Sequence, residues 1–181
     1  EEGVFYESVN FAAVRHLPVL FICENNLYSV YSPLSVRQPT GRSIADMVSA
    51  MGVTSKAVDG LNLESCYEAM QNAAHAVRGG HGPHFLEFST YRWREHCGHE
   101  YDNNLGYRRK DEFYQWQSQD PLAKLEAKFC SEDSSVGGRD IVRVKADIDL
   151  EIEVAFAAAE NAPFPSPGEA FRDVYAPLSQ N

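Results

Sequence analysis

Leu17-Pro18-Val19-Leu20-Phe21-Ile22-Cys23-Glu24-Asn25-Asn26-Leu27-Tyr28 runs from a helix stop, through a short apolar run, into a polar turn. Pro18 disfavours helical geometry at Leu17, so the helical pattern before it ends there. Residues 19–23 are continuously apolar, the signature of a strand covered on both faces, as in parallel sheets. Asn25 and Asn26 then close the strand with residues suited to turns. Upstream, Val4, Phe5, Val9, Ala12 and Ala13 recur at helical spacing and predict an amphipathic helix over 3–16. The chain starts at Glu1 rather than Met, already inside that pattern. The expectation is a C-terminal fragment whose fold lacks its N-terminal part.

Downstream, residues 24–40 read as loop. Ser43 can cap a short helix over 44–51, with Gly52 as its stop. Residues 53–58 predict a second strand, closed by Asp59-Gly60. Residues 63–77 predict a helix with Cys66, Met70, Ala73, Ala74 and Val77 on one face, and 85–91 a third strand. Strand–helix–strand–helix–strand order favours parallel strands with crossover helices, hence a layered α/β domain with a mostly parallel sheet. Ligands in such sheets sit beyond the carboxyl ends of the strands, here residues 24–32 and 93–109. Residues 110–117 and 121–129 predict short surface helices and 131–139 a polar break. A long helix is predicted over 140–160, with Ile141, Val144, Ile148, Ile152, Ala155 and Ala159 on one stripe and acids opposite. The organisation expected is an α/β domain over 1–130 and a helical tail over 131–181.

Composition bounds the function. The 181 residues suit one domain of ordinary size, and 44% hydrophobic residues suffice for a core. A formal charge of −10 argues against nucleic acid or an anionic membrane as partner. Half of that charge lies in residues 131–160, which hold 8 acids against 3 bases and read as a solvated helix face. No apolar run approaches the ~20 residues that span a bilayer. Cys23, Cys66, Cys97 and Cys130 are far apart and form no CxxC, so a reduced, cytoplasmic protein is expected.

Two constellations could carry chemistry. In the first, Asn25-Asn26 is either an ordinary turn or part of a hard-metal site. Mg²⁺ takes an octahedral oxygen shell and is usually held by few protein groups plus phosphates. The Asn26 amide oxygen and the Tyr28 backbone carbonyl suit that pattern, but a carboxylate is still needed, and strand alternation turns Glu24 away. The second is Tyr91-Arg92-Trp93-Arg94-Glu95-His96-Cys97-Gly98-His99 with Tyr107-Arg108-Arg109-Lys110. Residues 91–110 hold five bases against three acids. They form either an anion site of forked arginine donors or a loop whose arginines pair with its own Glu95, Glu100 and Asp102. His96 to His99 also suggest zinc, although one thiolate and this spacing match no common structural site.

Together with Gly3-Val4-Phe5-Tyr6-Glu7-Ser8-Val9-Asn10-Phe11-Ala12-Ala13, the Leu17 to Tyr28 run resembles the alpha subunit of thiamine diphosphate-dependent 2-oxo acid dehydrogenases. Pyruvate, branched-chain and acetoin dehydrogenases belong to this group. The likeness continues through Val58-Asp59-Gly60, Gly82-Pro83-His84-Phe85-Leu86-Glu87, Thr90-Tyr91-Arg92, Gly106-Tyr107-Arg108, Asp120-Pro121 and Val174-Tyr175. The family's cofactor motif begins Gly-Asp-Gly and ends Asn-Asn; only its end, Asn25-Asn26, stands in this chain.

The resemblance implies a three-layer thiamine diphosphate-binding fold. It implies Mg²⁺ held by Asn26 and the Tyr28 carbonyl, with the Asp of the absent motif as third protein ligand. It places His96 on the cofactor diphosphate as the catalytic residue, and groups Arg92 with the cofactor-binding residues as an organiser of their loop. It implies an oxidoreductase acting on 2-oxo acids or acetoin-like substrates, a beta subunit in an α₂β₂-type assembly, and acyl transfer to a lipoyl-bearing acyltransferase. His96-Cys97 replaces the His-Ser of many relatives, so phosphorylation there is not expected, and residues 93–105 are longer than in pyruvate dehydrogenases. The alternatives are another thiamine diphosphate enzyme, transketolase-like or non-oxidative, and a non-catalytic zinc or binding module.

Overall fold

A computed structural model describes residues 2–131 and 137–174. Part of the expected polar break, residues 132–136, and Tyr175 lie outside the described residues. The three apolar runs become three parallel strands, β1 (Leu20–Asn25), β4 (Thr54–Asp59) and β5 (His84–Ser89), in the order β1-β5-β4. Leu20 and Thr54 both lie opposite His84, and Asn25 and Asp59 both lie opposite Ser89, so all three carboxyl ends open on one edge.

Helices cover both faces. Helices α1 (Gly3–Val14) and α3 (Ile44–Ser49) bury Val9 and Val48 with Val53 and Phe85; Phe21 and Cys23 of β1 pack there too. On the other face, α4 (Leu63–Arg78) buries Ala69 and Ala73 against Val58 and Leu86. Consecutive residues Phe85 and Leu86 thus serve opposite layers, as strand alternation requires. The caps follow the sequence: Ser43 Oγ accepts from Asp46 N–H at 3.1 Å, and Asn62 Oδ1 from Ser65 N–H at 3.0 Å. The α/β fold with a parallel sheet is the architecture of the chain.

Several local expectations are corrected. The strand β1 is only partly covered on its second face, where Leu20 packs against the α4 cluster but Ile22 is 44% exposed, and it lies at an edge of the described sheet. A continuous apolar run cannot tell an inner strand from an edge strand, because that depends on what the rest of the chain supplies. The helix α1 is not cleanly amphipathic, since Val4, Phe11 and Val14 are exposed beside buried Val9 and Ala12. Residues 24–40 are not all loop. They hold a hairpin of β2 (Tyr28–Ser29) and β3 (Ser32–Pro33), then α2 (Leu34–Arg37). Elements this short carry no periodicity to detect.

The chain divides into two units, Glu1–Ala127 and Lys128–Asn181. The first also contains α5 (Lys110–Gln117), and α6 (Pro121–Phe129) follows it. The second contains α7 (Gly138–Asn161) and a 3₁₀ turn, Pro167–Phe171. Val144, Ile148 and Ile152 of the predicted stripe are exposed, as are Leu150, Val154 and Phe156 away from it. The helix α7 is therefore apolar on more than one side, not opposed by acids alone.

Phe85→Ala removes a core side chain that is 1% exposed and is expected to cost about 3–5 kcal/mol. Ile22→Ala, at the open edge, should cost less than about half as much. Urea midpoints measure both, and equal losses would contradict the edge placement of β1.

Candidate functional site

At the carboxyl end of β1 the two asparagines make successive side-chain turns. Asn25 Oδ1 accepts from Leu27 N–H at 3.3 Å, and Asn26 Oδ1 accepts from Tyr28 N–H at 3.0 Å. Between them Leu27 has φ +71°, a left-handed conformation that costs a non-glycine residue energy. Leu34 N–H donates to Leu27 O at 2.7 Å and pins the far side. Because Leu27 and Leu34 form the hydrogen-bonded pair, Tyr28 and Pro33 face each other as a non-hydrogen-bonded pair, and the Tyr28 carbonyl points out of the hairpin ladder. Both predicted oxygen donors, Asn26 and Tyr28, line one cleft of about 230 Å³ together with Tyr6, Asn25 and Arg37. Glu24 also borders this cleft, but it is exposed and strand alternation sets its side chain on the face of β1 away from Cys23 and Asn25.

The segment after β5 leaves beside this turn, because Thr90 N–H donates to Asn25 O at 3.0 Å. Its base is stitched by a buried ion pair. Arg108 donates to Asp102 Oδ1 at 2.6 Å, and their side chains are 1% and 2% exposed. Arg108 also donates to the carbonyls of Arg92, at 2.6 Å, and Trp93, at 3.3 Å, while Tyr107 Oη donates to Asp102 Oδ2 at 2.7 Å. Arg92 donates to Arg94 O at 2.9 Å, to Val30 O at 3.0 Å and to Tyr107 Oη at 3.0 Å. Its bond to Val30 reaches the β2–β3 turn, where Val30 has φ +52°. Arg108 therefore pairs within its own loop, chiefly with Asp102, whereas Arg92 lies 3.7 Å from Asp102 and gives its hydrogen bonds to Arg94, Val30 and Tyr107. Tyr28 joins the turn to this loop: its hydroxyl donates to Glu112 of α5 at 2.8 Å, and its ring meets Tyr107 edge-on at 5.4 Å.

The loop tip differs. His96 and Cys97 are exposed, and His96 bonds to no other described residue. Arg94 lies 3.9 Å from the centre of the Tyr101 ring and donates to His99 O, while His99 faces Glu100 at 3.0 Å. Among the described residues, no three His, Cys, Asp or Glu side chains converge to hold a metal. The His96–His99 zinc reading thus has no built site among them.

A model of the dehydrogenase E1 component family matches residues 1–168. The chain belongs to this family. It is 32% identical over 174 residues to the pyruvate dehydrogenase E1 component subunit alpha of Rickettsia conorii, covering 96% of this chain and 52% of the relative. It is 32% identical over 175 residues to the 2-oxoisovalerate dehydrogenase subunit alpha of Bacillus subtilis, covering 97% and 52%. A pyruvate dehydrogenase E1 component subunit alpha of Staphylococcus aureus is 34% identical over 159 residues, covering 85% and 42%. The E1 chain thus spans about half the length of the curated relatives it matches.

In this E1 chain the organisers of the site are residues that sequence reasoning did not rank as site residues. Glu112, which accepts from the Tyr28 hydroxyl, had no motif of its own. Asp102 and Arg108 were visible only as charges within a mixed loop, Arg108 also as part of the Gly106-Tyr107-Arg108 stretch of the resemblance. Tyr28, Tyr107 and Tyr91, whose ring meets Tyr28 edge-on at 6.2 Å, hold their protons beyond the usual phenol range. Burial is the main cause at each, aided by Glu112 at Tyr28 and by Asp102 at Tyr107, and opposed by Arg108 at Tyr91.

Asp102→Asn leaves Arg108 buried without an anion and is expected to cost about 3–5 kcal/mol, read as faster amide exchange over residues 92–108. Unchanged exchange there would show that the pair does not order the loop. The raised phenols set a second expectation. The unfolded chain releases these protons near pH 10, whereas the folded chain keeps them, so stability is full below about pH 10 and falls as pH climbs through the raised values. Tyr28→Phe should flatten that alkaline loss in urea midpoints; an unchanged slope would remove Tyr28 from the account.

Proposed function

We propose that this chain is the alpha-subunit part of a thiamine diphosphate-dependent 2-oxo acid dehydrogenase that holds the Mg²⁺-diphosphate end of the cofactor. The donor set fits a hard cation. The Asn26 amide oxygen retains a lone pair beyond its bond from Tyr28 N–H, and the Tyr28 carbonyl is a second neutral oxygen. Two such ligands leave octahedral positions for diphosphate oxygens, water and a carboxylate from outside the described residues. The observation that carries the reading is the shared exit of the Asn25-Asn26 turn and the His96 loop, tied by Thr90 N–H to Asn25 O, in a chain of the E1 family.

Bound thiamine diphosphate supplies a nucleophilic carbon and an electron sink for decarboxylating a 2-oxo acid. The chain's own residues bind and orient. Asn26 and Tyr28 hold Mg²⁺; His96, exposed on the loop tip, donates to the diphosphate and assists acyl transfer. Arg92, committed to Arg94, Val30 and Tyr107, acts by shaping the loop that carries His96. In this reading residues 1–130 form the diphosphate- and metal-binding part and 131–181 a helical tail. A beta subunit completes the site in an α₂β₂-type assembly, a lipoyl-bearing acyltransferase component accepts the acyl group, and the enzyme is cytoplasmic. Among the described residues no helix is long and apolar enough to cross a membrane.

Mg²⁺ titration of the assembled complex in the presence of thiamine diphosphate tests the reading. Asn26→Ala is expected to raise the half-saturating Mg²⁺ by about tenfold or more, roughly 1.4 kcal/mol per tenfold. An unchanged Mg²⁺ requirement would overturn the assignment of Asn26.

A further inference from the structure

The central strand β5 carries one carboxylate, Glu87, flanked by Cys23 of β1 and Ala57 of β4. A carboxylate half-buried in the middle of a sheet costs desolvation energy, and none of the described ion pairs includes it. Its two oxygens are divided between two elements. Oε1 accepts from Asn25 Nδ2 at 2.8 Å, and Oε2 accepts from Ala45 N–H, in the first turn of α3, at 3.0 Å. Ala45 O in turn accepts from Ser55 Oγ of β4 at 2.5 Å. Glu87 therefore joins the end of β1 to α3 across the sheet.

We propose that Glu87 is a positioning residue that sets the Asn25-Asn26 turn and thereby aims the oxygens of Asn26 and Tyr28. Donor and acceptor identity dictates the arrangement. An ionised carboxylate only accepts, so Asn25 must present its NH₂ to Glu87 and its Oδ1 to the other side. That oxygen receives Leu27 N–H and supports the left-handed Leu27, after which Tyr28 N–H closes onto Asn26 Oδ1. Reversing the Asn25 amide would set N–H against N–H at Leu27. The metal consequence rests on the function proposed above; the coupling of Glu87 to the turn does not.

The test is a swap of donor and acceptor. Glu87→Gln keeps the shape but cannot satisfy both neighbours, because its NH₂ must face either Ala45 N–H or the Asn25 NH₂. Combining Glu87→Gln with Asn25→Asp restores the pattern at constant charge. The introduced amide accepts from Ala45 N–H and donates to the introduced carboxylate, whose second oxygen accepts from Leu27 N–H. In the assembled complex, E87Q is expected to raise half-saturating Mg²⁺ for thiamine diphosphate binding by about 10–100-fold, with the maximal rate at saturating Mg²⁺ nearly unchanged. The double variant should return to within about threefold of wild type.

E87Q with a wild-type Mg²⁺ requirement would overturn the proposal, as would a double variant no better than E87Q. If E87Q fails to fold, recovery of folding and Mg²⁺ affinity in the double variant supports it, and no recovery overturns it. Wild type showing no Mg²⁺-dependent cofactor binding would overturn the functional reading itself and the metal role of Glu87 with it.

Discussion

Parallel pairing of β1 with β5 is the constraint on which the site depends. Parallel strands share a direction, so their carboxyl ends meet at one edge, and the segments leaving them must begin side by side. Here those segments are the Asn25-Asn26 turn and the loop carrying His96, and the bond from Thr90 N–H to Asn25 O marks their common origin. An antiparallel pairing would have sent them to opposite ends. The two sets of polar residues, separated by some seventy positions in sequence, become neighbours through backbone geometry alone.

Beyond the strand ends, polar chemistry holds irregular backbone in place. The turn contains a left-handed Leu27, and the hairpin after it a left-handed Val30; neither conformation is favourable for its residue type. Each is held by a charged group from elsewhere: Glu87 through Asn25, and Arg92 through the Val30 carbonyl. Arg92 is itself seated by Tyr107, and Tyr107 by Asp102, which Arg108 neutralises in the interior. Such a buried pair contributes little net stability compared with apolar packing, but it tolerates few alternative geometries. The result is a hydrogen-bonded loop base beneath an exposed tip that carries His96.

Local elements were legible in the residues wherever a period or a cap was present. The helices Lys110–Gln117 and Pro121–Phe129 lie where their patterns placed them, and α4 starts and stops within a residue of its expected span. Ser43 and Asn62 cap as their types require. Strand–helix alternation was enough for a parallel sheet, because parallel strands need crossovers and these segments supply them. Asn26, Tyr28 and the Arg92–His96 segment were legible as candidate chemistry because polar residues follow apolar runs there.

The partners those residues take were settled by packing and register. Residue spacing could not show that β1 lies at an edge of the described sheet, that Ile22 is exposed, or that Val4, Phe11 and Val14 of α1 face outward. Composition left the arginine loop open between anion binding and self-pairing, and the fold resolved it at Asp102 by burying that carboxylate against Arg108. Glu87 was unreadable as an organiser, since its meaning lies in Asn25 and Ala45, 62 and 42 positions away. Local pattern fixes local structure because neighbouring residues dominate it; hydrogen-bond partnership across a sheet is set by register, which no single segment encodes.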